Sequence, residues 1–195
     1  MSCATTTSTR AKSPTLARLI DEVRAAVRAE AGPACTGAAV AKLLQPYLGD
    51  PDFLTAEQMQ PDECAYCRHI LHVEPDRSFS VVALVWLPGQ ETAIHDHVSW
   101  CVVGVHRGEE DETSYDLVGE ETDRHLVVTS HTVNPVASVV ALVPPGDIHR
   151  VKNSCNDIAV SLHVYGADVE ALGSSILRRY EHEVRPQQVL AGQPA

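Results

Sequence analysis

From Tyr66 onward the chain is written in short apolar stretches that alternate at period two, and this texture decides what it can fold into. The stretches CRHILHV, SFSVVALVW, WCVVGVH, EDETSYDLV, HLVVTS, SVVALVP, HRVKN and IAVSLHVYG are separated by Gly, Pro, Asp and Asn. Val- and Ile-rich runs of this length, bounded by turn residues, read as strands, and eight of them at this spacing form a β-sandwich or barrel. The fold class expected is all-β. In front of the strands, Leu16, Leu19, Ile20, Val23 and Val27 fall at helical spacing, with Thr15 as a candidate cap and Gly32 and Pro33 as the stop. A second helix is expected over Gly37 to Leu48, where Val40, Leu43, Leu44 and Tyr47 share a face before Gly49 and Asp50-Pro51.

The chain of 195 residues thus divides into a Ser/Thr-rich tail over 1–14 read as disordered, a helical segment over 15–60, a barrel over 61–185, and a loose tail over 186–195. The barrel segment is expected to close with a helix over Ala167 to Val184. A formal net charge of -11 with no long basic run argues against a nucleic acid or an anionic membrane as partner, and favours a small ligand. No stretch approaches the roughly 20 apolar residues of a membrane span, and the N-terminus lacks the apolar core of a signal peptide. Six cysteines without a dense framework suit reduced thiols, so the expected location is the cytoplasm.

Chemistry concentrates in GQETAIHDHVSWCVVGVHRG, Gly89 to Gly108. Side chains two apart on a strand share a face, so His95 and His97 project together and Asp96 projects the other way. Two imidazoles on one strand can bind one metal ion, given a third ligand from elsewhere. In the second half, LVPPGDIHRVKN places Pro144, Gly146, His149 and Asn153 at the spacing P-x-G-x-x-H-x-x-x-N.

Together these two stretches resemble the paired motifs of the cupin superfamily. The resemblance implies a double-sheet jelly-roll barrel, with the N-terminal helices packed on one end and His149 as the third ligand. Ser138 replaces the glycine that usually opens the second motif. Cys101 stands where most metal-binding cupins carry a glutamate ligand. Three neutral imidazoles without a carboxylate leave a divalent ion its full charge and open positions, which favours an anionic, chelating ligand.

A narrower resemblance covers about half the chain, Tyr66 to Tyr165. IHDHVSWCVVGVHRG, IHRVKN, AVSLHVYG and YCRHILH are similar to the iron-dependent thiol dioxygenases, above all the cysteine dioxygenase family. The resemblance implies Fe2+ as cofactor on His95, His97 and His149, and a run of Ser161, His163 and Tyr165 on one strand face pointing at the metal. It implies a substrate-binding arm of Tyr66 and Arg68, whose guanidinium fork suits a carboxylate. It also implies L-cysteine or a related small thiol acid and O2 as substrates, with both oxygen atoms added to sulfur to give a sulfinate. In animal-type members a cysteine at the Cys101 place is joined to the tyrosine, so the resemblance makes Cys101 and Tyr165 the candidate pair for a thioether, with the loop between His97 and Cys101 one residue shorter here.

That short loop also resembles the dioxygenases of 3-mercaptopropionate. Members of that group carry glutamine at the Arg68 place, glycine at the Cys101 place and an arginine soon after the tyrosine; here none comes before Arg178. A non-enzymatic metal-binding cupin is the third reading. Cys64 and Cys67 form a lone C-x-x-C without a second pair. The acidic run after Gly108 reads as a solvated hairpin, and His69, His72, His106, His125, His131 and His182 as surface or sheet histidines.

Overall fold

The computed structural model describes residues 5–7, 13–29 and 31–186; the tails expected over 1–14 and 186–195 otherwise lie mainly outside the described residues. The short strand β1 (Thr5–Thr7) comes first, followed by two helices. Helix α1 (Pro14–Arg28) is capped by Ser13, whose hydroxyl accepts from the Leu16 amide at 3.1 Å. The cap is Ser13 and not Thr15 because Pro14, with no N–H to satisfy, fits the first helical position. The same asymmetry corrects the second boundary: Pro33 opens α2 (Pro33–Leu44) instead of closing α1, and a 3-10 turn over Gln45–Tyr47 finishes it.

All eight expected strands form. In chain order the strands are β2 (Cys67–Val73), β3 (Ser80–Trp86), β4 (His95–His97), β5 (Cys101–Arg107), β6 (Glu109–Val118), β7 (His125–Pro135), β8 (Val139–Leu142), β9 (His149–Lys152) and β10 (Ala159–Tyr165). Helix α3 (Val169–Leu172) and strands β11 (Ile176–Arg179) and β12 (Val184–Arg185) complete the chain. Two six-stranded sheets result, β1-β2-β3-β10-β5-β8 and β11-β4-β9-β6-β7-β12.

The helix expected over Ala167 to Val184 shrinks to α3. Asp168 caps it through the Ala171 amide at 2.9 Å, and Gly173, at φ +73° in the left-handed region, ends it one turn later. The chain then lies antiparallel to β4 as β11. This covers the open side of a strand only three residues long, which would otherwise present unpaired backbone groups.

The middle of the first sheet is buried on both faces, which is why β3 and β10 are largely apolar. Val81, Ala83 and Val85 turn outward against Leu16, Leu19, Ile20 and Val23 of α1 and Val40 and Leu44 of α2. Val82, Leu84 and Trp86 turn inward with Cys101, Val103 and Tyr165. The end of α2 approaches so closely that a Cβ on Gly104 would lie 2.9 Å from Leu44 and Leu48. No helix among the described residues is long and apolar enough to cross a membrane.

Candidate metal centre

Strands β4 and β9 are neighbours, and His95 lies directly opposite His149 in the antiparallel register. Opposite residues of such a pair share a face, so the two imidazoles meet, and His97 joins them by period two. Ring centroids are 4.8 Å apart for His95 and His97, 4.7 Å for His95 and His149, and 5.0 Å for His97 and His149. One nitrogen from each ring lies within 4.8 Å of the others, and all three residues are buried.

Each ring is oriented by its other nitrogen. The Nδ1 of His95 meets the Ala93 carbonyl at 2.9 Å, that of His97 the Asp147 carboxylate at 2.9 Å, and that of His149 the Glu112 carboxylate at 2.7 Å. With Nδ1–H donated, the Nε2 lone pair is free for a cation, the arrangement that metal-binding histidines need. His149 Nε2 is buried with no hydrogen-bond partner, a cost that a bound metal would remove. Burial, and then the neighbouring imidazoles, push His95 well below the ordinary histidine range; burial likewise lowers His97 against the pull of Asp147. Burial thus favours the neutral, ligating form of His95 and His97. Asp96 faces away, as period two requires, and is held by Arg178 Nε at 2.8 Å and by the Tyr180 hydroxyl at 2.9 Å.

Opposite the cluster, β10 presents Ser161, His163 and Tyr165 from the other sheet. The Tyr165 hydroxyl is 3.0 Å from His163 Nδ1, and Ser161 Oγ is 2.9 Å from His163 Nε2. Burial pushes His163 down to about 3 and raises Tyr165 well above its ordinary value. Cys101 pairs with Tyr165 in register across β5 and β10, and its thiol, pushed up by burial, lies 3.9 Å from His163 Nδ1.

The three histidines of the cluster, His163 and Tyr165 line one chamber of about 210 Å3 with Tyr66, Arg68, Trp86 and the Gly173–Ile176 turn, while Ser161 and Cys101 lie behind that lining. Tyr66 stacks on Trp86 at 4.4 Å between centroids, and Arg68 Nη2 donates to the Gly173 carbonyl at 3.0 Å. The residues singled out in the sequence thus come together.

The profile of the family described as "Cysteine dioxygenase type I" matches residues 1–173. The chain belongs to that family. Among curated relatives, it is similar to "Cysteine dioxygenase type 1" of Danio rerio, 27% identical over 129 residues, which is 65% of this chain and 63% of that protein. The chain therefore spans less than two thirds of that relative's length. Solved structures similar to it include a double-stranded β-helix protein from Klebsiella pneumoniae, at 17% identity and TM-score 0.45, covering 61% of this chain and 87% of that one. A Cupin 2 conserved barrel domain protein from Salinispora arenicola is similar at 18% identity and TM-score 0.43, covering 62% and 92%.

In this cysteine dioxygenase family member, four residues at or near the chamber are not marked by the sequence. The acidic run after Gly108 is not wholly solvated: Glu110 and Glu112 are 2% and 9% exposed, because β6 alternates and these two positions turn into the barrel. Burial pushes Glu112 up, but the hydrogen bonds from His149 and Asn134 outweigh it and leave its carboxyl lowered. Asp147, two residues before His149, reaches across to His97. Arg179 lines the chamber mouth from β11, where a helix was expected. Strict alternation within EEDET was the signal available for the glutamates; no local pattern marks Asp147 or Arg179.

Proposed function

We propose that the chain is an Fe2+-dependent thiol dioxygenase that adds both atoms of O2 to the sulfur of L-cysteine, giving cysteine sulfinate. The observation that carries it is the set of three buried imidazoles without a carboxylate ligand, sharing one chamber with Arg68, His163 and Tyr165, with Ser161 behind His163. The three Nε2 atoms fit a divalent cation, and iron held there would supply redox chemistry toward dioxygen and Lewis acidity toward a thiolate. The thiol and O2 together contain every atom of the sulfinic acid, so no further reductant is needed.

The protein's own groups bind and orient. Arg68 pairs its fork with the substrate carboxylate, opposite the cluster, and the Tyr66–Trp86 stack walls the chamber against water. Tyr165 offers a hydroxyl to the substrate sulfur, with His163 and Ser161 fixing its direction. The reading includes a Cys101–Tyr165 thioether, supported by their register. Its formation removes two hydrogens with dioxygen as oxidant, so intact-mass spectrometry after denaturation and reduction should show that loss; an unmodified mass in active enzyme removes the crosslink. A cytoplasmic location is part of the same reading, supported by the five described cysteines, all of them free.

A related substrate, 3-mercaptopropionate, is favoured by the short loop of three residues between His97 and Cys101, and by Arg179 as a second cation for a carboxylate. Steady-state oxygen uptake with L-cysteine, 3-mercaptopropionate and cysteamine separates the two. Equal or better turnover of 3-mercaptopropionate overturns the choice of L-cysteine; an Fe2+-loaded protein that consumes no oxygen with any of them is a binding protein instead.

A further inference from the structure

Beside the chamber lies a second depression of about 350 Å3, open to solvent and bounded by Cys64, Gln90 and Glu91. Tyr66, Ile176 and Arg179 line both spaces and so form the boundary between them. Two neighbouring arginines of β11 have opposite fates here. Arg178 folds back on Asp96, with Nε 2.8 Å from the carboxylate. Arg179 lies opposite His95 in the register of β11 and β4 and is exposed, and its guanidinium has no hydrogen-bond or ion-pair partner among the described residues. Among the described residues lining either space Glu91 is the only acid, and it lies 3.8 Å from Arg150 Nη1.

We propose that the outer depression is a vestibule for carboxylates, in which Arg179 collects the anionic end of the substrate and passes it to Arg68 inside the chamber. That the carboxylate belongs to a thiol rests on the thiol dioxygenase reading; the preference of the vestibule for anions does not.

A chain with a formal net charge of -11 repels a thiol acid at long range, so the approach depends on a local positive field at the entrance. Arg179 supplies that field. Being exposed, it holds a carboxylate weakly, because water and salt screen the pair. Weak holding suits a place of transit, since a ligand gripped at the mouth would go no further. Arg68 is half-buried on β2, with Nη2 on the Gly173 carbonyl at 3.0 Å, and in those drier surroundings the same pairing of charges is stronger. A carboxylate therefore gains by moving from Arg179 to Arg68. A cationic thiol without a carboxylate gains nothing from either arginine.

Cys64 makes the vestibule measurable without the reaction. Its thiol is free and exposed, and it lines the depression but not the chamber; Cys35 on α2, also free and exposed, serves as the control. The full chain is labelled with an anionic reagent, sulfonatoethyl methanethiosulfonate, or its cationic trimethylammonium counterpart, and each cysteine is followed by peptide mass spectrometry. Relative to Cys35, R179A should slow anionic labelling of Cys64 roughly two- to fivefold and quicken cationic labelling, and R179K should restore both. Propionate should slow the anionic reaction more than chloride at equal ionic strength. Identical Cys64 rates in wild type and R179A overturn the proposal, as does equal slowing by propionate and chloride.

In the Fe2+-loaded protein, R179A should lower kcat/KM and not kcat, most for 3-mercaptopropionate, which has no ammonium group, and least for cysteamine. High salt should erase the difference, and R179K should recover the wild-type value. A loss that R179K leaves unrepaired and salt does not erase assigns Arg179 to a two-pronged grip inside the chamber and overturns the transit role. Cys64 labelling that follows Arg179, with no oxygen uptake from any thiol, upholds the vestibule and removes the thiol reading.

Discussion

Two strands face each other across the chamber and present the same pattern of side chains for opposite purposes. β4 offers His95 and His97 at period two, and β10 offers Ser161, His163 and Tyr165 at the same period. On β4 each imidazole has one nitrogen tied to an oxygen outside the pair, and the other nitrogen is left for a ligand. On β10 the polar groups bond to one another, so nothing is left over except the tyrosine at one end and the serine at the other. Their positions match these uses. β10 lies between β3 and β5 with every residue buried, whereas β4 is a three-residue strand between β9 and β11, held in place by Asp96 on Arg178 and Tyr180. A ligand strand needs unsatisfied atoms; a strand that orients a single hydroxyl needs its polar groups paired.

The sharpest way to break this contrast is His149→Ala, which removes the partner that makes β4 a ligand strand. Iron content by elemental analysis should fall to background, and oxygen uptake with it, while β10 keeps its bonds.

On the β10 side, Glu110→Gln should change stability against pH. A carboxyl whose folded pKa is raised contributes stability that is fully present below its unfolded value of about 4.5 and lost as pH rises through about 7. The wild type should therefore lose about 3 kcal/mol through this group across that window, at about 1.36 kcal/mol per pH unit. Denaturant titrations at both ends of the window should show the slope in wild type and not in the variant.

Arg68→Ala sharpens the comparison from the substrate side. Loss of charge-assisted hydrogen bonds costs roughly 1.5–3 kcal/mol, so KM for L-cysteine should rise roughly tenfold to a hundredfold. Cysteamine, which lacks the carboxylate, should be little affected, and equal losses for both would remove the assigned role. The smallest effect is expected for Glu112→Gln, which keeps the shape but loses the charge behind His149. Metal affinity should drop roughly tenfold to a hundredfold by iron titration.

How far the sequence could be read follows from how local each signal was. His95 and His97 were legible because two-residue periodicity fixes which side chains share a face, whatever surrounds the strand; Ser161, His163 and Tyr165 were marked by the family resemblance, and the same periodicity then put them on one face. The failures came where a local rule met a distant partner. Ala167 to Val184 has helix-forming residues, yet Gly173 ends α3 and the open side of β4 draws the following residues into β11. Glu110 and Glu112 sit in a run whose charge suggests solvent, yet both are buried, and Glu112 meets its partner His149 37 residues away along the chain.

The sequence by itself therefore determined the all-β class, the strands and the shared face of each polar run, because backbone geometry sets a period of two. Only the tertiary structure decided which runs face one another and which acids are buried among them. Asp147 and Glu112 meet His97 and His149 only because the fold brings distant segments together, and a buried charge takes its meaning from the partner it is folded against.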